Sequence, residues 1–180
     1  DGAGYQAHPS EGGHADFAPT SLRQVELYRY LEERHGHVSY ERVCSGRGLP
    51  NIYAFLRDTG RAAEPPDLAQ KLRAAEDPTP HIVEAALAPE APVELARMAL
   101  DMMVDILGAE AGNMALRFMA TGGIYVGGGV PRYILPAIKA GRFMDAFRRK
   151  GRLAYVVEDI PVHVITHPNP GLLGAARCGL

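Results

Sequence analysis

The sequence predicts an α/β domain. Apolar stripes at helical spacing recur along most of the chain, whereas the runs "GGIYV" and "IPVHVITH" are short, β-branched and strand-like. A triple-glycine turn joins the first of these runs to a proline-opened helix, and strands interleaved with helices in this way indicate α/β architecture.

The elements follow in order. Residues up to about Ala7 read as the end of a strand or hairpin, and the His, Pro and Gly stretch after them as loop. Ser21 and Gln24 have the spacing of a capping box, and Val25, Leu27, Tyr28 and Leu31 form an apolar stripe that Gly36 ends. "SYERVCSG" reads as a short helical turn capped at Ser39 and closed by Gly46, with a helix over "LPNIYAFLRD" to about Asp58. Residues 60 to 80, rich in proline, read as an exposed excursion with one helical patch around Leu68 and Leu72. A helix from Thr79 to about Ala88 precedes the longest candidate, Ala91 to about Ala120, whose Leu95, Met98, Met102, Met103 and Ile106 are expected in the core. "GGIYVGGGVPRYILPAI" then gives a buried strand, a glycine turn and a helix opened by Pro131. "IPVHVITH" places Val162, Val164 and Thr166 on one face of a strand, with Asn169 as N-cap and Pro170 as first residue of a last helix.

Composition narrows the function. At 180 residues the chain can bury a full core, and a formal charge of −2 offers no broad positive field for a phosphate backbone, so no nucleic-acid partner is expected. Arg148, Arg149, Lys150 and Arg152 form a basic cluster, expected as a solvated helix end because Glu158 and Asp159 follow it. Cys44 and Cys178 lack metal or redox spacing, which fits a reduced, cytoplasmic protein, and no apolar run reaches the roughly 20 residues of a membrane span. The chain opens without Met at "DGAGYQAHP", as a processed product or an excised piece would.

"HPSEGGHADF" carries the first candidate chemistry. His8, Glu11 and His14 resemble a metal set, but Pro9, Gly12 and Gly13 oppose the helix that a zinc motif with ligands four apart needs. No cysteine lies nearby, so no resident metal is expected; hydrogen bonding to a polar organic ligand is the alternative. An ionised Glu accepts, a neutral His both donates and accepts, and vicinal hydroxyls suit that mixture. Glu41 is a second carboxylate of interest beside a Ser/Gly loop, though alone it also suits a helix-dipole role. Gly127, Gly128 and Gly129 form either a packing turn or a cradle, since they match neither phosphate-loop pattern.

Taken together, "SEGGHADFAP", "GHVSYERVCSGRGLPNIY", "GGIYVGGGVPR" and "NPGLLGAA", in that order and spacing, resemble the bacterial glucokinase family. The resemblance implies the larger, C-terminal domain of an actin-like ATPase (ribonuclease H-like) sugar kinase, residues 1–180, with a mixed sheet and flanking helices. It implies that Glu11, His14 and Glu41 bind glucose hydroxyls and that Gly127, Gly128 and Gly129 run beside the adenosine of ATP, with Mg2+ accompanying the nucleotide. A cytoplasmic homodimer acting in glucose phosphorylation is implied as well.

The departures are equally informative. The family's N-terminal domain with its glycine-rich phosphate loop, the Asn-Asp segment that supplies the general base, and a second phosphate loop have no counterpart in these residues. The last helix looks cut short at Leu180. No catalytic residue is therefore expected here, and these residues alone are expected to be inactive. A kinase for another hexose, or a sugar-sensing module that does not turn ligand over, is the alternative the motifs leave open.

Overall fold

The computed structural model describes residues 8–178, so the strand expected up to Ala7 lies outside the described residues. Ten α-helices and two strands follow one another over this span: α1 (Leu22–His35), α2 (Gly48–Asp58), α3 (Pro66–Ala74), α4 (Thr79–Leu87), α5 (Glu94–Phe118), β1 (Ile124–Val126), α6 (Gly129–Tyr133), α7 (Leu135–Lys139), α8 (Arg142–Arg148), α9 (Ala154–Glu158), β2 (Val162–Val164) and α10 (Pro170–Cys178). The domain is mixed α/β, but helix-rich.

Helix α5 is the axis of the core. Leu95, Ala99, Met103, Ile106 and Ala115 are buried along it, and α2, α4 and α8 pack on its sides. Met102 and Met103 fill core, as expected from their spacing. The close approach of α8 depends on two residues without side chains. A Cβ at Gly108 would lie 2.3 Å from the Phe143 carbonyl oxygen, and one at Gly112 would lie 2.4 Å from that of Phe147. One turn apart on the same face, these glycines make a trough into which the α8 backbone settles.

The capping box of α1 forms, with a twist. The Ser21 hydroxyl accepts from the Gln24 N–H at 3.3 Å, while Gln24 Oε1 accepts from the Thr20 N–H and hydroxyl at 2.7 and 3.0 Å. Gln24 thus satisfies its buried amide oxygen and joins Leu27 and Leu31 on the inner face, whereas Val25 turns outward at 38 % exposure. Leu27, Tyr28 and Leu31 keep the expected face, and only Val25 leaves it, its place taken by Gln24.

Three further expectations change. Residues 60 to 80 are not only an excursion: α3 buries Leu68 and Ala69 against the body, because Pro66 occupies the first turn, where its missing N–H costs nothing. Strand β1 is only half covered, with Val126 buried and Tyr125 65 % exposed. The helix expected from Pro131 begins at Gly129 and breaks at Ile134, since Pro136 cannot donate to the Arg132 carbonyl and its ring crowds that turn.

The sheet places β1 parallel to β2, Ile124 opposite Val162 and Val126 opposite Val164. Among the described residues it is therefore two-stranded and parallel, where a mixed sheet was expected; its crossover runs through α6 to α9. No described helix is long and apolar enough to cross a membrane.

Candidate functional site

Glu11 enters a single 3-10 turn, Gly12–His14, whose glycines keep it from extending into an α-helix. The His14 N–H closes the turn on the Glu11 carbonyl at 2.9 Å, and the Gly12 N–H donates to the Ser10 hydroxyl at 3.1 Å. Residues 15 to 17 then run antiparallel to residues 38 to 40: Phe17 N–H donates to Val38 O at 2.9 Å and Tyr40 N–H to Ala15 O at 3.0 Å. The rings of Phe17 and Tyr40 meet edge to face at 5.8 Å. Asp16 Oδ1 lies 2.9 Å from His37 Nε2 across the same pairing, an exposed contact. His8 is exposed and outside the site.

This pairing lays the Glu11 turn beside a second 3-10 turn, Tyr40–Arg42, which carries Glu41. His14 Nε2 stands 3.6 Å from Glu41 Oε2, and Glu11, His14 and Glu41 line one open cavity of about 600 Å³ with Tyr40, Ser45 and Glu110. Residues some thirty positions apart thus converge on one cavity. Ser39, expected as a side-chain cap for the second turn, is buried and gives it no cap hydrogen bond.

The "SGRG" segment fixes the far side of that turn. The Ser45 hydroxyl donates to the Glu41 carbonyl at 2.6 Å and accepts from the N–H groups of Arg47 and Gly48 at 3.1 Å each. It couples the end of the Glu41 turn to the start of α2. Gly48 must lack a side chain, since a Cβ there would lie 2.7 Å from the Val43 carbonyl carbon and 2.9 Å from its Cα.

The cavity is rich in acceptors. Glu11 and Glu41 are exposed at its mouth, while Glu110, from α5, forms its inner wall. Glu110 Oε2 accepts from Asn113 Nδ2 at 2.9 Å, and its buried Oε1 has no hydrogen-bond partner among the described residues, with Arg117 3.6 Å away. Burial, and then the Glu110 carboxylate, push the Tyr40 phenol up to about 12. The same two causes, burial first, push the Cys44 thiol up to about 12, so it stays protonated and is no nucleophile. Among the described residues no three His, Cys, Asp or Glu side chains are placed to hold a metal ion. The arrangement offers carboxylates, an imidazole and a hydroxyl around an open space, a set suited to a polyhydroxylated molecule.

Glu110, Asn113 and Tyr40 were not singled out from the sequence. The available signal was Glu110 and Asn113 at i and i+3 in "AEAGN", a polar pair inside an otherwise apolar helix.

The three glycines after β1 have separate surroundings. A Cβ at Gly127 would meet Ile165 Cδ1 at 3.1 Å, and Gly128 adopts φ +114°, a conformation that favours glycine. Gly129 faces open space and lines a second cleft of about 580 Å³ with Val83, Val130, Tyr133 and Thr79. Gly127 and Gly128 are not among its lining residues. A third cleft shares Glu41 and Ser45 with the first cavity, and Gly46 and Asp77 with the second, and so lies between the two. Its wall is pinned where the Thr79 hydroxyl donates to the Gly46 carbonyl at 2.5 Å.

Comparison with known proteins identifies the family. The sequence model of the glucokinase family matches residues 1–180. The chain is 43 % identical to a glucokinase of Trichormus variabilis over 97 % of its own length and 54 % of the relative's. It is 42 % identical to one of Yersinia enterocolitica, over 93 % of this chain and 48 % of that one. The chain thus spans about half the length of the curated relatives it matches. Among solved structures, the glucokinase from an Antarctic psychrotroph superposes with a TM-score of 0.75 at 32 % identity, over 94 % of this chain and 49 % of the other. The glucokinase of Balamuthia mandrillaris in complex with glucose gives a TM-score of 0.76 over 92 % of this chain and 45 % of the other, and at 21 % identity that likeness concerns the fold alone.

Proposed function

Because the chain belongs to the glucokinase family, we propose that it supplies the glucose-binding and adenosine-binding half of an enzyme that transfers the γ-phosphoryl of ATP to the 6-hydroxyl of glucose. The observation that carries this is the convergence of Glu11, His14 and Glu41 on one open, acceptor-rich cavity.

In the proposal, Glu11 and Glu41 accept hydrogen bonds from sugar hydroxyls, and His14, beside Glu41, donates or accepts according to its tautomer. Charge-assisted bonds to ionised carboxylates are the stronger kind, which makes these two residues the main anchors of the sugar. The largely apolar cleft at Gly129, Val130 and Tyr133 takes the adenosine, and the cleft between, past Ser45 and Gly46, is the path along which the two substrates approach each other. Phosphoryl transfer is a matter of positioning and charge stabilisation, and this half does the positioning.

The proposal assigns the general base and the phosphate-binding loops to sequence outside these 180 residues, which alone have negligible activity. Mg2+ is proposed as a companion of the nucleotide's phosphates, which with water commonly supply most of its ligands. Family membership extends the proposal to the larger lobe of an actin-like ATPase fold, to the cytoplasm and to a homodimer, the last of which sedimentation of the complete protein checks.

A coupled assay of glucose 6-phosphate formation tests the reading. The complete protein should turn over glucose with ATP, and these 180 residues should not. Preference for mannose, fructose or an amino sugar across a substrate panel would reassign the substrate, and binding without turnover would make the protein a sensor.

A further inference from the structure

The basic cluster after α8 does not behave as a solvated helix end throughout. Arg148, Arg149 and Arg152 are exposed, but Lys150 turns inward. Its stem crosses α5 at Gly112, where a Cβ would lie 2.5 Å from Lys150 Cε. The ammonium donates to the Ala109 carbonyl at 2.7 Å and to Asn113 Oδ1 at 2.8 Å.

This contact fixes more than the lysine. An ammonium has donors only, so the Asn113 amide must present its oxygen to Lys150 and its NH2 group to the other side. There Nδ2 donates to Glu110 Oε2 at 2.9 Å and stands 3.5 Å from the Tyr40 hydroxyl. Glu110 and Tyr40 are walls of the cavity that holds Glu11 and His14, and Tyr40 directly precedes Glu41. Without the ammonium the Asn113 oxygen loses its donor, and the amide is held from one side only, by its NH2 contact with the Glu110 carboxylate.

We propose that Lys150, acting through Asn113, is a positioning residue for the sugar site: it orients the amide that holds Glu110 and Tyr40, and with them the turn that carries Glu41. The inference rests on the glucose-binding reading above. Lys150 lines neither space, but Glu110 and Tyr40, which it reaches through Asn113, line the first cavity and not the second cleft, so its effect belongs to the sugar and not to the nucleotide.

The test uses the complete protein, with steady-state kinetics and glucose titration. Lys150→Met keeps the stem and removes the donors; it should raise the glucose KM and Kd about 10-fold and leave the ATP KM within about twofold. The double variant Lys150→Met/Asn113→Leu should bind glucose no more weakly than the worse single variant, because both act along one chain of contacts. Unchanged glucose affinity, a parallel rise in both KM values, or multiplicative effects in the double variant would overturn the proposal. If Lys150→Met does not fold, Asn113→Asp substitutes: it keeps the acceptor for Lys150 and sets a carboxylate against Glu110. It too should weaken glucose selectively, and unaltered glucose affinity would count against the inference. Absence of glucose binding by the wild-type protein would instead sink the functional reading beneath it.

Discussion

Gly48→Ala is the most informative single substitution for the link between fold and site. The added methyl carbon would lie 2.7, 2.9 and 3.0 Å from the carbonyl carbon, Cα and N of Val43. Carbon atoms rest about 3.5–4.0 Å apart, so either α2 or the Val43 backbone must move by roughly 1 Å. Val43 is fully buried and cannot retreat without disturbing the core, and no rotamer change relieves a clash with backbone. Overpacking of this kind costs about 1–3 kcal/mol, which at about 2–4 °C per kcal/mol for a domain of this size lowers the melting temperature by about 2–12 °C. The movement also reaches the site, because Glu41 lies two residues before Val43 and its carbonyl is tied to Ser45. A misplacement near 1 Å can cost about a hundredfold, so glucose binding should weaken about 10- to 100-fold. Differential scanning fluorimetry and glucose titration read the two effects, with Gly122→Ala, where a Cβ meets nothing within 4 Å, as the control. A Gly48→Ala protein with wild-type melting temperature and wild-type glucose affinity would refute the argument that this turn is rigid and sets Glu41.

Two further outcomes are expected. Gly129→Leu adds a side chain where a Cβ meets nothing, so it should leave the melting temperature unchanged but raise the ATP KM severalfold by filling the second cleft; an unaltered ATP KM would remove that cleft from the nucleotide site. The phenols of Tyr30 and Tyr40 both lie at about 12 in the folded protein, raised mainly by burial, against about 10 in an unfolded chain. Their contribution to stability is therefore fully present below pH 10 and lost as the pH rises from about 10 to 12. Urea melts across that range should show falling stability, and Tyr40→Phe should flatten the slope; an unchanged slope would mean that other groups govern it.

Much of the helical framework was legible because its signals are local. Ser21 with Gln24, the Leu95 to Ile106 stripe, and Pro170 after Asn169 each mark an element that the structure contains. Helix α3 was less visible, because prolines read as breakers, although one in a first turn is harmless. The grouping of Glu11 and His14 with Glu41 came from family resemblance. No local pattern encodes the antiparallel pairing of residues 15–17 with 38–40 that brings them together. Lys150 was misread for a related reason: a charge run carries no information about the glycine trough on α5 that draws one of its members inside. Glycines at positions 108 and 112 look like helix weakeners until α8 is seen lying against them.

The central claim is that Glu11, His14 and Glu41 form the glucose site, and calorimetric titration of glucose into the complete protein and its Glu11→Gln and Glu41→Gln variants tests it most directly. Both carboxylates are exposed, so neither change should alter the melting temperature appreciably. Replacing an ionised acceptor by an amide removes a charge-assisted bond worth about 1.5–3 kcal/mol, so each variant should bind glucose about 10- to 100-fold more weakly than wild type. Glucose affinity equal to wild type in both variants would contradict the account.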